Sequence, residues 1–157
     1  MIHKADGIQT VIFGDIFLED VRKYRERLLS RIGKKAIFPL WKRNTRELAR
    51  TFISLGFKAV ITVVDSKFLS SDFAGQEFDD QFLRDLPANV DPCGENGEFH
   101  SFVYDGPIFH QSVAFAKGET VFRENRFHYC DLIPSKKMNP TDPTKPSPEC
   151  SPHDTQS

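Results

Sequence analysis

The side chains best suited to chemistry are concentrated in one short run, Asp91 to Ser101, which reads DPCGENGEFHS. Its carboxylates, Glu95 and Glu98, and its imidazole, His100, can exchange protons, and Asn96 adds an amide. A loop of this kind can orient an ammonium or amide group and accept protons from an amine nucleophile. In the alternative interpretation the run is a turn that enters a strand, where Gly and Asn serve turn geometry.

Small residues within and after this run favour the close approach of a ligand. Gly94, Gly97 and Gly106 lack a Cβ atom, so the backbone can lie directly against a bound molecule. Asp105 adds a further carboxylate in the stretch FVYDGPIF, which follows the run. The whole segment is therefore a candidate site as well as a candidate turn.

A second candidate group, Gly14-Asp15-Ile16, directly follows the apolar run Ile8 to Phe13, which is typical of a buried strand. Open α/β sheets bind ligands at the carboxyl ends of their strands. The carboxylate of Asp15 could contact a ribose hydroxyl or a magnesium ion there. Alternatively, Asp15 caps the helix that begins near Glu19.

Three further features carry weaker functional interpretations. The helix from Glu19 has a basic face that suits nucleotide phosphates, but such faces are more often solvated. His128 and Cys130 would share one face of a strand, yet their spacing matches no zinc motif. Trp41 either borders a nucleotide pocket or packs in the core. The sequence contains no GKS, GKT, GxGxxG or GxSxG motif.

The elements that would position these residues alternate between strand and helix in the first part of the chain. Periodic apolar residues predict helices over Glu19 to Ile32 and Asn44 to Leu55. The second helix begins with a capping box of Asn44 and Glu47 and ends at Gly56. The last of three predicted strands is almost continuously apolar, which is typical of a parallel strand covered on both faces. The three strands are Ile8 to Phe13, Ala36 to Leu40 and Phe57 to Val64.

Beyond Asp65 the pattern predicts a short helix and then antiparallel strands. The predicted fold class is α/β, with a partial parallel sheet and helices followed by a smaller mixed or antiparallel β-rich subdomain. We expect segments 1–65 and 66–134, and a disordered tail over 135–157, where almost nothing is apolar. The later elements are a helix over Asp79 to Leu86 and strands over Phe99 to Tyr104, Ile108 to Phe115, Glu119 to Arg123 and Phe127 to Ile133.

Composition limits the partners of the chain. Its 157 residues suit one domain with an appendage, and a net charge of -1 gives no global attraction to nucleic acid or to an anionic membrane. The apolar runs are far shorter than a membrane span, and MIHKADG does not resemble a secretory signal. We therefore expect a cytoplasmic protein whose three cysteines are reduced thiols.

Four segments carry a family resemblance: VIFGDIFLEDVRKYRERL, FPLW, LGFKAVITVVD and DPCGENGEFHSFVYDGPIF. Together they resemble the PP-loop ATPase family of diphthine-ammonia ligase-like proteins over about Ile8 to Pro134. The resemblance implies a Rossmann-like domain of the HUP type, here represented by 1–65, and a substrate-binding subdomain over 66–134. It also implies ATP, used with Mg²⁺ and cleaved to AMP and pyrophosphate, and the amidation of a carboxylate-bearing acceptor by ammonium.

The resemblance also suggests roles for the candidate residues. Gly14, Asp15 and Ile16 would border the nucleotide. The loop from Asp91 would line the acceptor. Catalytic roles would fall to Glu95, Glu98 and His100, and substrate binding to Cys93, Gly94, Asn96, Gly97 and Asp105.

Two departures from the family pattern alter these expectations. The SGGKDS-type loop that holds the ATP phosphates is absent from the sequence. We therefore expect a truncated ligase that is inactive alone, completed by an N-terminal PP-loop segment, a separate PP-loop chain or a homo-oligomer; the alternative is a non-catalytic module that binds a substrate or a protein. Asn96 replaces a glycine of the family's acidic motif and His100 an acidic residue, which favours a different acceptor.

Overall fold

The computed structural model describes residues 7–135. The tail predicted over 135–157 therefore lies, except for Ser135, outside the described residues. Within the described range no helix has the length and apolarity needed to cross a membrane. The elements in chain order are strand β1 (Thr10–Ile12), helix α1 (Glu19–Ser30), β2 (Lys35–Ile37), α2 (Thr45–Ser54), β3 (Lys58–Asp65), a 3-10 turn (Ser71–Phe73), α3 (Asp80–Asp85), β4 (Phe99–Asp105), β5 (Phe115–Arg123) and β6 (Phe127–Pro134).

The N-cap at Asn44 and the glycine after the end of α2 are both present as predicted, and one of the two bonds of the predicted capping box forms. Asn44 is the N-cap, and its side-chain oxygen accepts a hydrogen bond from the backbone N–H of Glu47 at 3.1 Å. This bond satisfies one of the amide donors that a helix start leaves without a partner. Gly56 follows the C-cap with φ +84°, a conformation that favours glycine.

The predicted parallel sheet is present but small. β1 and β2 pair in parallel, with Val11 opposite Ala36. The rings of Phe13 and Phe38 continue the contact, stacked with centroids 5.5 Å apart. Buried Leu29 of α1 belongs to the same layer. The α/β class is therefore confirmed, while the HUP-type assignment stays a prediction.

The prediction that the third strand is parallel was wrong. β3 pairs antiparallel with β4, where Val60 lies opposite Phe102, and with β6, where Val64 lies opposite His128. The order of this second sheet is β4-β3-β6-β5. Near-continuous apolarity reports burial on both faces, and an interior antiparallel strand can have that burial as well as a parallel one. β3 lies in the segment predicted over 1–65, yet both of its partner strands follow residue 65. The division into 1–65 and 66–134 stays a prediction.

A second correction concerns the strand predicted over Ile108 to Phe115. Only Phe115 belongs to a strand, and 106–114 form a loop in which the N–H of Phe109 bonds back to the carbonyl of Gly106 at 3.0 Å. Pro107 supplies no N–H to a ladder, and Ile108 is 77% exposed. The apolar residues of this segment thus lack the buried face that a strand would give them.

The main core lies between the antiparallel sheet and α3. Phe82 of α3 is fully buried and meets Phe99 of β4 edge-to-face, with ring centroids 5.2 Å apart. Asp79 begins α3 as predicted, and its carboxylate accepts a hydrogen bond from the N–H of Phe82 at 2.9 Å. The core also includes Ile61, Val64, Leu69 and Val90. This packing places the start of β4, and the loop before it, against the body of the protein.

Candidate functional site

The loop that precedes β4 is held in shape by its own side chains. Asp91 accepts hydrogen bonds at one carboxylate oxygen from the N–H groups of Cys93, at 3.0 Å, and of Glu95, at 3.1 Å. Asp side chains commonly stabilise turns in this way. Gly94 and Gly97 have φ of +65° and +85°, which the turns require. The turn interpretation of this run is therefore confirmed.

Glu98 is the internal anchor of this loop. It is only 1% exposed. Its Oε1 accepts hydrogen bonds from the N–H of Asp91 at 3.0 Å and from the side-chain amide of Asn96 at 2.9 Å, and its Oε2 accepts one from the N–H of Asn96 at 3.0 Å. These three donors compensate the burial of its charge. A catalytic role for Glu98 stays a prediction.

Glu95 joins the two candidate groups that the sequence indicated separately. Its Oε1 accepts a hydrogen bond from the backbone N–H of Ile16 at 2.7 Å, across 79 positions of sequence. The carbonyl of Ile16 in turn accepts a bond from the N–H of Lys42 at 2.7 Å. We call the loop before β4, residues 91–98, the acidic loop. The segment Gly14-Asp15-Ile16 and the acidic loop are thus in direct contact, at the carboxyl end of β1.

Asp15 does not cap α1, and that alternative was wrong. The N-cap is Leu18, without any side-chain cap. Instead, Oδ2 of Asp15 lies 2.9 Å from Nε of Arg25, as an ion pair that lacks the alignment of a hydrogen bond. The guanidinium of Arg25 also lies over the ring of Phe13, 4.5 Å from its centroid. A role for Asp15 toward a ribose hydroxyl or Mg²⁺ stays a prediction.

The basic face of α1 is partly engaged within the protein. Arg22 forms an ion pair with Glu26 at 2.9 Å, and its guanidinium lies 4.6 Å from the ring centroid of Trp41 and 5.0 Å from that of Phe38. Trp41 is half-buried beneath this contact. These arrangements are those of a packed, partly solvated helix face.

An apolar cleft of about 360 Å³ opens beside the acidic loop. Ile16, Cys93 and Phe99 form one side of it, and Leu48 and Phe52 of α2 form another. Sequence reasoning did not find this cleft. The available signal was the apolar stripe of α2, which repeats at helical spacing and continues to an exposed side chain, Leu55.

Cys93 lines the apolar cleft as a protonated thiol. Its Sγ donates to the carbonyl of Thr45 at 3.2 Å. Burial, and then the nearby carboxylates of Asp91 and Glu95, raise the pKa of Cys93 to about 12. The thiolate is therefore scarce at neutral pH, and the side chain suits contact with a substrate better than nucleophilic attack.

Two predicted site residues lie apart from the loop. His100 is exposed on β4, and because side chains alternate along a strand it faces away from the core side occupied by Phe99. Asp105 ends the same strand. The rise per residue of an extended chain places it roughly 20 Å from Phe99. Its carboxylate lies 3.9 Å from Nζ of Lys58. The structure does not bring Asp105 to the loop, and roles for both residues stay predictions.

Residues 7–135 contain no cluster of three or more His, Cys, Asp or Glu side chains that could hold a metal ion. His128 contacts the ring of Phe122, with centroids 4.7 Å apart, and the thiol of Cys130 is buried near Gly75. Both residues are accounted for by packing.

Comparison with known proteins gives a consistent family. The family described as "Diphthamide synthase C-terminal domain" matches residues 44–137. The human diphthine--ammonia ligase is 28% identical over 127 residues, which cover 77% of this chain and 47% of that protein. The Bos taurus ligase is 26% identical over 126 residues with the same two shares, and the Schizosaccharomyces pombe ligase is 26% identical over 118 residues, 73% of this chain and 20% of that protein.

This chain spans about half the length of the mammalian relatives that it matches. The match to the family model covers the acidic loop, the apolar cleft wall formed by α2, and the whole antiparallel sheet. Because that match extends over more than half of the chain, the protein belongs to the diphthamide synthase C-terminal domain family.

Proposed function

We propose that this chain is the acceptor-binding part of a cytoplasmic, ATP-dependent, AMP-forming amide ligase similar to the diphthine--ammonia ligases. The observation that carries the proposal is the 2.7 Å hydrogen bond between Glu95 and the N–H of Ile16. It brings the acidic loop to the carboxyl end of β1, where open α/β sheets bind ligands. An acceptor in the apolar cleft would thus lie beside a nucleotide bound at that end.

The reaction consists of two balanced steps. A carboxylate oxygen of the acceptor attacks the α-phosphorus of ATP, and the bond to the β-phosphate breaks with release of pyrophosphate. Ammonia then attacks the acyl carbon, the bond to AMP breaks, and the nitrogen loses a proton as the amide forms. Such chemistry depends on positioning and on exclusion of water more than on covalent participation of the protein.

The burial and hydrogen bonds of each loop residue suggest its role in this reaction. Glu95 is half-buried and has a second carboxylate oxygen, Oε2, that could accept a proton from the amine. Asn96 is exposed and offers its amide beside the same loop. Glu98, held by three donors, positions this loop. Cys93 and the apolar cleft would contact the body of the acceptor.

The nucleotide side fits only in part. Gly14 is exposed, and a Cβ atom built there would meet nothing within 4 Å, so its backbone is open to a ligand. The carboxylate of Asp15 is paired with Arg25, so a ribose hydroxyl would have to bind this carboxylate alongside the guanidinium. ATP would bring the adenylyl group that activates the carboxylate, and a PP-loop segment outside these residues would hold its phosphates.

The small parallel sheet supports the proposal that a further PP-loop segment completes the nucleotide side. Ile12 and Ile37 are 68% and 47% exposed, although parallel sheets are usually covered on both faces. A PP-loop segment, in the same protein or in a separate chain, would add strands or helices to this layer.

The test uses the protein together with its PP-loop segment or PP-loop partner chain. Diphthine-bearing elongation factor 2 serves as the acceptor probe, and AMP is measured in the presence and absence of ammonium. Glu95→Gln keeps an oxygen for the Ile16 N–H but removes the charge, so we expect AMP formation to fall about 10²-fold or more. Glu119→Gln, on the exposed surface of β5, is the matched control.

AMP formation that requires neither ammonium nor the acceptor would contradict the proposal. So would full activity of Glu95→Gln. Acceptor binding by a protein that never releases AMP would favour the alternative of a non-catalytic binding module, since the apolar cleft is complete within the described residues.

A further inference from the structure

A second cavity, of about 400 Å³, lies between α2 and α3 and is separate from the apolar cleft. Three arginines line it: Arg46, Arg50 and Arg84. We refer to this cavity, defined by these three residues, as the arginine pocket. Leu83 and Leu86 supply apolar surface within it.

The convergence of these side chains follows from helix geometry. Arg46 and Arg50 are four residues apart on α2, so they project from the same face of that helix. Arg84 lies in the last turn of α3 and faces them across the pocket. Like charges at this spacing oppose one another, which destabilises the free protein slightly unless an anion lies between them.

Acidic neighbours do not neutralise the arginine pocket. Asp80 is the one acidic residue among those that line it, and within residues 7–135 neither Arg46 nor Arg50 has a carboxylate within ion-pair distance. The two other carboxylates of α3 and its N-cap are engaged elsewhere. Asp79 caps α3, and Asp85 accepts two hydrogen bonds from Gln81. The lining therefore carries an excess of positive charge.

One guanidinium is already oriented. Arg84 donates through Nη2 to the side-chain oxygen of Gln81 at 2.6 Å. The amide nitrogen of Gln81 is fixed in turn by the two carboxylate oxygens of Asp85, at 2.8 and 2.9 Å. Orientation before binding lowers the entropy lost when a ligand is bound.

From this geometry we propose that the arginine pocket binds the phosphate group of a small organic ligand. Guanidinium groups present planar pairs of N–H donors that match phosphate oxygens, and three such groups suit a dianion better than a single carboxylate. The cavity is much larger than one phosphate and contains apolar surface, so it has room for the organic part of the ligand.

The arginine pocket adjoins the acidic loop. Arg46 also lines a neighbouring cavity, to which Asp91 and Asn96 of the loop contribute. A phosphorylated ligand in the arginine pocket would thus lie next to the proposed acceptor site. The inference does not depend on the proposed function, because it concerns binding by this chain alone.

The experiment is a calorimetric titration of this chain with inorganic pyrophosphate, without divalent cations. We expect binding that weakens as salt is raised. Arg50→Gln should weaken it about tenfold or more, through the loss of charge-assisted hydrogen bonds. Arg43→Gln removes the same charge from an exposed residue near the start of α2 that does not line the arginine pocket, and it should bind as the unaltered chain does.

Three outcomes would overturn the inference: no binding of pyrophosphate, equal binding by Arg50→Gln, or equal weakening by Arg43→Gln. A parallel titration with succinate separates the two anion classes, and tighter binding of succinate would assign the arginine pocket to carboxylates instead. Arg43 and Arg50 are exposed, so the unfolding midpoints of the two variants should lie close to that of the unaltered chain.

Discussion

Glu95 and Ile16 are joined by a 2.7 Å hydrogen bond from the backbone N–H of Ile16 to Oε1 of Glu95. Ile16 is only 5% exposed, so water cannot readily replace this acceptor. The bond attaches the loop after β1 to the loop before β4. The contact between the two candidate groups therefore depends on one carboxylate oxygen.

Glu95→Ala should accordingly destabilise the fold by about 2 kcal/mol, the cost of leaving a buried donor without a partner. Glu95→Gln retains an oxygen for the Ile16 N–H and should cost less than about 1 kcal/mol. Urea unfolding monitored by circular dichroism measures both values. Equal losses for the two variants would show that charge, and not the hydrogen bond, supports the contact.

Glu98→Gln should destabilise the loop and the fold together. Gln has only one accepting oxygen, so its NH₂ group would face the N–H of Asn96 or of Asp91, which now bonds to a carboxylate oxygen. We expect the free energy of unfolding to fall by about 2–3 kcal/mol. Asn96→Ala, which removes one exposed partner of Glu98, should cost about 1 kcal/mol. If Glu98→Gln unfolds at the same urea concentration as the unaltered chain, Glu98 does not anchor the loop.

Gly94 and Gly97 provide a matched pair for the loop backbone. A Cβ atom at Gly94 would lie 2.8 Å from the carbonyl oxygen of Phe99, whereas one at Gly97 would meet nothing within 4 Å. Both glycines have positive φ, so alanine at either position incurs about 1 kcal/mol of backbone strain. Gly94→Ala adds the clash and should cost about 2–4 kcal/mol in total. Thermal unfolding compares the two, and a larger loss at Gly97 would contradict the described loop.

Acid stability should depend on Asp65. Hydrogen bonds from Arg126, at 2.8 Å for Nε, hold the pKa of this buried carboxyl below its ordinary value. Because the pKa of Asp65 is lower in the folded protein than in the unfolded chain, where it is about 3.9, the ionised carboxylate stabilises the fold at pH values above about 3.9. This stabilisation is lost as the pH falls through the pKa of the folded protein. Arg126→Met should therefore be less stable than the unaltered chain at pH 7, and the difference should shrink by about half or more by pH 3.

Urea midpoints measured from pH 7 to pH 3 test this dependence. The control is Arg123→Met, because Arg123 lies over the ring of Tyr129 at 5.7 Å and does not bond to Asp65. Its stability difference should stay constant over the same range. A constant difference for Arg126→Met would remove Asp65 as the origin of the acid sensitivity.

Much of this protein can be predicted from its sequence. The helices follow from periodic apolar residues, and the caps of α2 from Asn44 and Gly56. The run from Asp91 was recognisable because its turn residues and carboxylates are close neighbours in the chain. The family was recognisable from this run together with three other segments, and the family match confirms it. All of these signals are short in range, so the order of residues alone is enough to specify them.

The tertiary structure decided the rest, because it depends on which distant segments meet. The direction of β3 was set by β4 and β6, since an apolar run indicates burial but not the direction of neighbouring strands. Glu98 is buried because donors of the folded loop surround its carboxylate. Likewise, the contact of Glu95 with Ile16 spans 79 positions of sequence, and no local pattern encodes a pairing of that range.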